Sequence, residues 1–223
     1  VTGIAYETVT ASDGSMPLLA PMSTIAGQLA FTVGTYHLLK FNRGKGVMIG
    51  YLENIEPRTV TVIGAGVAGT QSILKAVENK AFVQVVDSSE IKLNELKSQF
   101  GDNDINYILS TPDSIRETIS KSDLVIGSVY VVGKEAPKVV TKEMLSSMSP
   151  GTVMVDVSID QGGCFETSKP TTHDNPTFVK DDIVHYCVTN MPGAVPLTAT
   201  QALNKVTLPY IERLANKGIL NAL

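Results

Sequence analysis

The sequence predicts an α/β protein built on a doubly wound parallel sheet. Three observations carry this. From residue 59 onward, short β-branched apolar runs alternate with longer segments at helical spacing. Hydrophobic residues make up 43% of the chain and charged residues 18%, a balance that supports a packed core. A cluster of glycines follows the first of these strands and opens the helix after it. The 223 residues suffice for one large domain or two small ones.

In chain order, VTGIAYETV at the start has Ile4, Tyr6 and Val9 among small and polar residues and predicts a strand. A chain entering in mid-strand reads as part of something longer. The stretch from Thr8 to Pro21 is turn-rich. Residues 21–40 predict a helix, with Ile25, Leu29, Val33 and Tyr36 at helical spacing and Ser23 as N-cap. FNRGKGVMIGY reads as a loop containing a hairpin or crossover. Strands are expected at 59–63, 82–87, 105–109, 123–130, 152–159 and 183–188. Helices are expected at 67–80, 89–100 and 111–122, where Thr111 caps the helix and Pro112 loses nothing by its missing N–H. A short helix at 141–148 ends at Pro150-Gly151, and a closing helix starts near 198, with Pro209 inside it or at a kink.

Several function classes are disfavoured. Net charge is −4 without a basic cluster, which argues against nucleic acid or an anionic membrane surface as partner. No apolar run is long enough to span a bilayer, and no secretory signal pattern opens the chain, so a cytoplasmic protein is expected. Cys164 and Cys187 have neither C-x-x-C spacing nor a histidine cluster nearby, so two reduced, buried thiols are expected and no metal. His37, His173 and His185 lack metal-ligand spacing and are expected to be structural or surface residues.

Gly64-Ala65-Gly66-Val67-Ala68-Gly69 has the G-x-G-x-x-G spacing between strand and helix. Gly64 permits the tight turn, Gly66 lets the backbone approach a pyrophosphate, and Gly69 lets helix and strand pack closely. The helix N-terminus offers N–H groups to the phosphates. The next strand ends in Asp87, 18 positions beyond Gly69, placed to accept from ribose hydroxyls and to repel a 2′-phosphate. The pattern is Rossmann-type, and the expected cofactor is NAD. Lys92, one turn into the following helix, could cover the same end of the nucleotide.

Ligands of such sheets lie over the carboxyl ends of the strands. Those ends are Gly64, Asp87, Ser110, and the segments 127–133, 157–163 and 188–193. The last three fall on the nicotinamide side, and Val129 and Met191 there suit a flat ring or plain packing. Asp160, followed by Gly162 and Gly163, has little packing purpose at such a place. It raises the question of a reacting group and its partner.

AYETV, PLLAPMSTIAGQLA, VIGAGVAGT, VDVSIDQGGCFETSKPTTHDNPTF and VHYCVTNMPGAVPLTAT together resemble the bacterial alanine dehydrogenase family, over essentially the whole chain. The resemblance implies reversible oxidative deamination of L-alanine to pyruvate and ammonium with NAD. It implies that Ser23 touches the pyrophosphate, Val67 and Ala68 cradle phosphates through their backbone, and Asp87 holds the ribose. Lys92 and Ser110 border the adenosine half. Val129, Tyr130, Val157, Ser158, Ile159 and Asp160, then Val188, Thr189, Asn190 and Met191, border the nicotinamide half. Lys169 stands where the family often has arginine, so the resemblance implies a cofactor contact there, made by a side chain that lacks the planar fork. Asp160 is implied as a catalytic-site acid, and a homo-hexamer is implied. Family members are longer at the N-terminus, so residues 1–20 are expected to be a remnant of a substrate domain, 21–197 the NAD-binding domain with its leading helix, and 198–223 a helix returning to the substrate domain. Two other readings stand beside this one: the NAD(H)-binding component of a proton-translocating transhydrogenase, which normally lacks an acid at the Asp160 position, and a non-catalytic NAD-binding module.

Overall fold

The computed structural model describes residues 3–102 and 104–219. They divide into two compact units, Ala26–Met191 and the combination of Val1–Ile25 with Pro192–Leu223.

The larger unit is an α/β sheet of Rossmann type. Its strands are β1 (Thr59–Ile63), β2 (Phe82–Asp87), β3 (Ile105–Leu109), β4 (Leu124–Gly127), β5 (Val153–Asp156), β6 (Thr177–Lys180) and β7 (Ile183–Tyr186). Their order is β3-β2-β1-β4-β5-β7-β6. Every pairing is parallel except β6 with β7. The winding reverses between β1 and β4, so the loops after these two strands flank the crevice where such sheets take ligands. Strand residues alternate between two cores. Val60 and Val62 face the core that contains Ile73, Leu93 and Leu96, while Ile63 faces the one that contains Ile115, Ile119, Met154 and Phe165.

Helices α1 (Ala20–His37), α2 (Val67–Glu78), α3 (Glu90–Phe100) and α4 (Pro112–Ser120) follow the expected order. α1 passes from one unit to the other at Ile25–Ala26. In the larger unit it buries Ala26, Gly27, Ala30 and Gly34 at helical spacing. A Cβ on Gly27 would strike the Ala68 carbonyl, and one on Gly34 would meet Leu124 at 2.5 Å, so glycine sets how closely this helix lies. Ser89 and Thr111 cap α3 and α4, the latter with a capping box to Ser114.

The smaller unit holds a 3-10 turn at Tyr6–Thr8, the first residues of α1 and the helix α5 (Pro196–Lys217), which contains Pro209. Leu197, Leu208 and Ile211 of α5 are exposed.

The structure corrects several expectations. Residues 3–9 form no strand; among the described residues their alternating pattern has no neighbouring strand to complete a ladder, and Val1 and Thr2 lie outside the described residues. Ser23 is not an N-cap: α1 has begun by Ala20, and the Ser23 N–H bonds the Leu19 carbonyl at 3.1 Å. Segment 41–51 holds no hairpin but follows a 3-10 turn at Lys40–Asn42. The 141–148 helix is a 3-10 segment, Lys142–Ser147. Three strands stop early, at Gly127, Asp156 and Tyr186. β6 was not expected; it pairs with β7 across Asp181 and Asp182, both at positive φ (51° and 59°), a two-residue hairpin turn that aspartate tolerates. No helix among the described residues is long and apolar enough to cross a membrane.

Candidate functional site

The glycine turn is built by hydrogen bonds to its neighbours. Gly64, at φ 99°, donates its N–H to the Val86 carbonyl at 2.8 Å. A Cβ there would lie 2.6 Å from the Ser128 carbonyl oxygen. The Ala65 N–H bonds Asp87 Oδ2 at 2.6 Å, and the Ser89 N–H bonds Asp87 Oδ1 at 2.8 Å. Asp87 thus shapes the turn as well as ending β2, and it stays only partly buried, with acceptor capacity to spare. Gly66 is the N-cap of α2 and supplies no side-chain cap to the first-turn N–H groups of Val67 and Ala68. A Cβ on Gly66 would have nothing within 4 Å, so this face is open. Gly69 is the opposite case: its Cβ would strike the Gly64 carbonyl oxygen and lie 2.7 Å from Ser128 Oγ. An exposed glycine before uncapped helix N–H groups fits a phosphate.

From this cradle a row of hydrogen bonds crosses the carboxyl edge of the sheet. Ser128 Oγ donates to the Gly64 carbonyl at 2.9 Å. Ser158 Oγ donates to the Val129 carbonyl at 2.8 Å. The Asn190 N–H donates to both oxygens of Asp160, at 3.1 and 3.3 Å. On the far side, the Ser110 N–H bonds the Asp87 carbonyl at 2.9 Å. The row joins Asp87, Gly64, Val129, Ser158, Asp160 and Asn190, and places Ser110 beside Asp87.

Asp160 does not sit at a strand end. β5 stops at Asp156, and Asp160 is carried by a 3-10 turn, Val157–Gln161. Asp156 causes this. Its carboxylate is fully buried and accepts from Ser158 N at 3.0 Å, Cys164 N at 2.9 Å, Phe165 N at 3.2 Å and Ser168 Oγ at 2.5 Å. Burial pushes its pKa up, and the bonds from Ser168, Phe165 and Cys164 pull it back in part. Asp156 was missed by sequence reasoning; an aspartate closing an apolar strand, with serine two positions on, was the available signal. Lys138 was missed too. Its Nζ caps the Gly163 carbonyl at 2.6 Å and also bonds the Gly162 carbonyl, while the Ala136 N–H bonds the Gln161 carbonyl at 2.9 Å. These ties hold the loop after β4 to the turn bearing Asp160.

Other expected residues are placed as follows. Val129 is half-buried and Tyr130 exposed in the loop after β4; Val157 is half-buried, Ser158 and Ile159 are buried. Val188 and Met191 are buried, whereas Thr189 and Asn190 are exposed. Lys92 is exposed on α3 and pairs with Glu95 at 3.3 Å. Lys169 lies over the Phe178 ring, 4.3 Å from its centroid, and Phe178 stacks on His185. Ser23 belongs to the smaller unit. Both thiols are fully buried: burial raises Cys164 well above the usual range and pushes Cys187 up to about 12, so neither is a thiolate near neutrality.

Residues 30–223 match the family described as alanine dehydrogenase/PNT, C-terminal domain. An alanine dehydrogenase of Halomonas elongata is 50% identical over 222 residues, covering 100% of this chain and 60% of that relative. A solved structure titled L-alanine dehydrogenase superposes with a TM-score of 0.93 at 45% identity, over 98% of this chain and 60% of that one. A transhydrogenase structure from Sinorhizobium meliloti shares the fold, with a TM-score of 0.78 at 23% identity over 91% of this chain and 57% of that one. The chain thus spans about 60% of the length of the alanine dehydrogenases it matches.

Proposed function

The chain belongs to the alanine dehydrogenase/PNT C-terminal domain family, and from that premise we propose that it is the nucleotide-binding part of an NAD-dependent alanine dehydrogenase. The whole reaction is the reversible conversion of L-alanine, NAD and water to pyruvate, ammonium and NADH. One observation carries this reading: the row of hydrogen bonds that has an open, side-chain-free phosphate cradle at one end and the Asp160 carboxylate at the other.

The cradle of Gly64, Gly66 and Gly69, with the backbone of Val67 and Ala68, holds the pyrophosphate. Asp87 accepts from the ribose, bordered by Lys92 and Ser110. Val129, Tyr130, Val157–Asp160 and Val188–Met191 border the nicotinamide. Lys169, whose Nζ lies over the Phe178 ring, would have to leave that ring to contact the cofactor. When bound, NAD supplies the hydride acceptor. Asp160 then orients the attacking water or ammonia, or balances positive charge that develops on the reacting carbon–nitrogen group. Residues 1–20 and 198–223 belong to a substrate domain, a division supported by the separate compact unit that contains them. Self-association, which the family resemblance extends to a homo-hexamer, is supported by the exposed apolar side chains Tyr36, Phe41, Met48, Tyr51, Leu52 and Ile55, between 48% and 74% exposed. A cytoplasmic location is supported by two free thiols.

The test has two stages. Calorimetry with NAD, NADH and NADP measures binding to the chain itself, and absence of NAD binding sinks the proposal. Alanine-dependent NADH formation is then followed after residue 1 is joined to the matching N-terminal part of the Halomonas elongata relative. Binding without any alanine turnover there would leave only a nucleotide-binding module.

A further inference from the structure

We infer that His173 is a positioning residue for Asp160, acting through Asn190. Asn190 has φ 51°, in the left-handed region where asparagine is among the few side chains tolerated. Its backbone is held on both sides. Its N–H donates to Asp160 at 3.1 and 3.3 Å, and its carbonyl lies 3.3 Å from His173 Nε2. Nε2 donates in this geometry both in the neutral Nε2–H tautomer and in the imidazolium, so the contact needs no particular charge.

The segment that delivers His173 is itself anchored. Thr171 N–H bonds the Cys187 carbonyl at 2.9 Å, Thr189 N–H bonds the Thr171 carbonyl at 3.3 Å, and Thr171 Oγ1 bonds the Pro176 carbonyl at 2.9 Å. Residues 171–173 therefore run beside 187–190, and the imidazole closes the far side of the turn whose near side is Asp160. Without it, one fixed point of the Asn190 conformation is lost, and the N–H that aims the Asp160 carboxylate is free to rotate away. This inference rests on the reading that Asp160 stands beside the nicotinamide.

The experiment compares the unaltered 223-residue chain with His173→Ala and His173→Gln, whose amide Nε2 can replace the ring nitrogen. Amide hydrogen exchange at Asn190 is measured by NMR, and affinities for NADH and for ADP-ribose, which lacks the nicotinamide, by calorimetry. In His173→Ala, Asn190 exchange is expected to rise on the order of tenfold, the scale of one lost hydrogen bond. NADH should bind several-fold more weakly while ADP-ribose affinity holds, and His173→Gln should restore both values. Unchanged Asn190 exchange, equal weakening of the two ligands, or failure of glutamine to rescue would each overturn the inference. If the unaltered chain binds neither ligand, the NAD reading falls, and Asn190 exchange alone decides the role of His173.

Discussion

The carboxylate of Asp160 is held by the backbone N–H of Asn190, 30 positions later in the chain, at 3.1 Å to one oxygen and 3.3 Å to the other. Among the described residues its hydrogen-bond partner is therefore a main-chain donor from the loop after β7, which fixes orientation without exchanging a proton. Asp160→Asn keeps the shape and removes the charge. In the fusion with the N-terminal part of the Halomonas elongata relative, it should lower the kcat for alanine by a factor on the order of 10²–10⁴, the range of a lost acid–base group, with little change in NAD affinity. Near-normal turnover reduces Asp160 to a turn residue.

Gly66 and Gly69 belong to one motif but should fail for different reasons. Gly66→Val places its side chain in open space, so the protein should fold with unchanged circular dichroism and lose NAD binding. Gly69→Ala drives a methyl into the Gly64 carbonyl and should destabilise the fold itself, seen as a lower urea midpoint. Full NAD affinity in folded Gly66→Val would falsify the placement of the pyrophosphate.

NAD should bind more tightly than NADP, because the acid that ends β2 repels a 2′-phosphate. Asp87→Asn should narrow the difference. Substitution by alanine is the poorer probe, since Asp87 also bonds the N–H groups of Ala65 and Ser89 and its loss loosens the cradle. Equal affinity of the unaltered chain for both cofactors would remove Asp87 from the ribose site.

Asp156→Asn should destabilise the protein by about 1–3 kcal/mol, because the amide NH2 must face either the Ser158 N–H or the Cys164 and Phe165 N–H groups and leaves buried donors unsatisfied. Urea denaturation measures the loss. A midpoint within error of the unaltered protein shows that other contacts hold the 156–168 loop.

Acid should weaken the fold below neutrality. Burial holds both His37 and His185 below the ordinary histidine value of 6.5. The unfolded chain therefore takes up protons first. The stabilising effect of keeping these rings neutral is complete above 6.5 and is lost as pH falls through their lower folded values. Urea midpoints at a series of pH values should fall across that window, and His37→Gln with His185→Gln should flatten the slope. An equally steep slope in the double variant assigns the acid sensitivity to carboxylates.

The sequence by itself determined the sheet and the glycine turn at its carboxyl edge. β-branched runs such as TVTVI and FVQVVD bury both faces in a parallel sheet, and β1, β2 and β3 keep their expected bounds. The glycine spacing and the acid after the second strand are equally local, because each glycine answers a backbone constraint within one turn. Only the tertiary structure decided where the late strands stop and what their loops hold. Asp156 ends β5 by collecting donors from as far along as Ser168, and Asn190 reaches Asp160 from the loop after β7. Periodicity cannot carry such information, since an apolar run reads the same whether or not a distant amide claims its last side chain. The residues 3–9 failed in the opposite direction: their alternation is strand-like, but a strand exists only with a neighbour to bond, and that neighbour is a property of the fold.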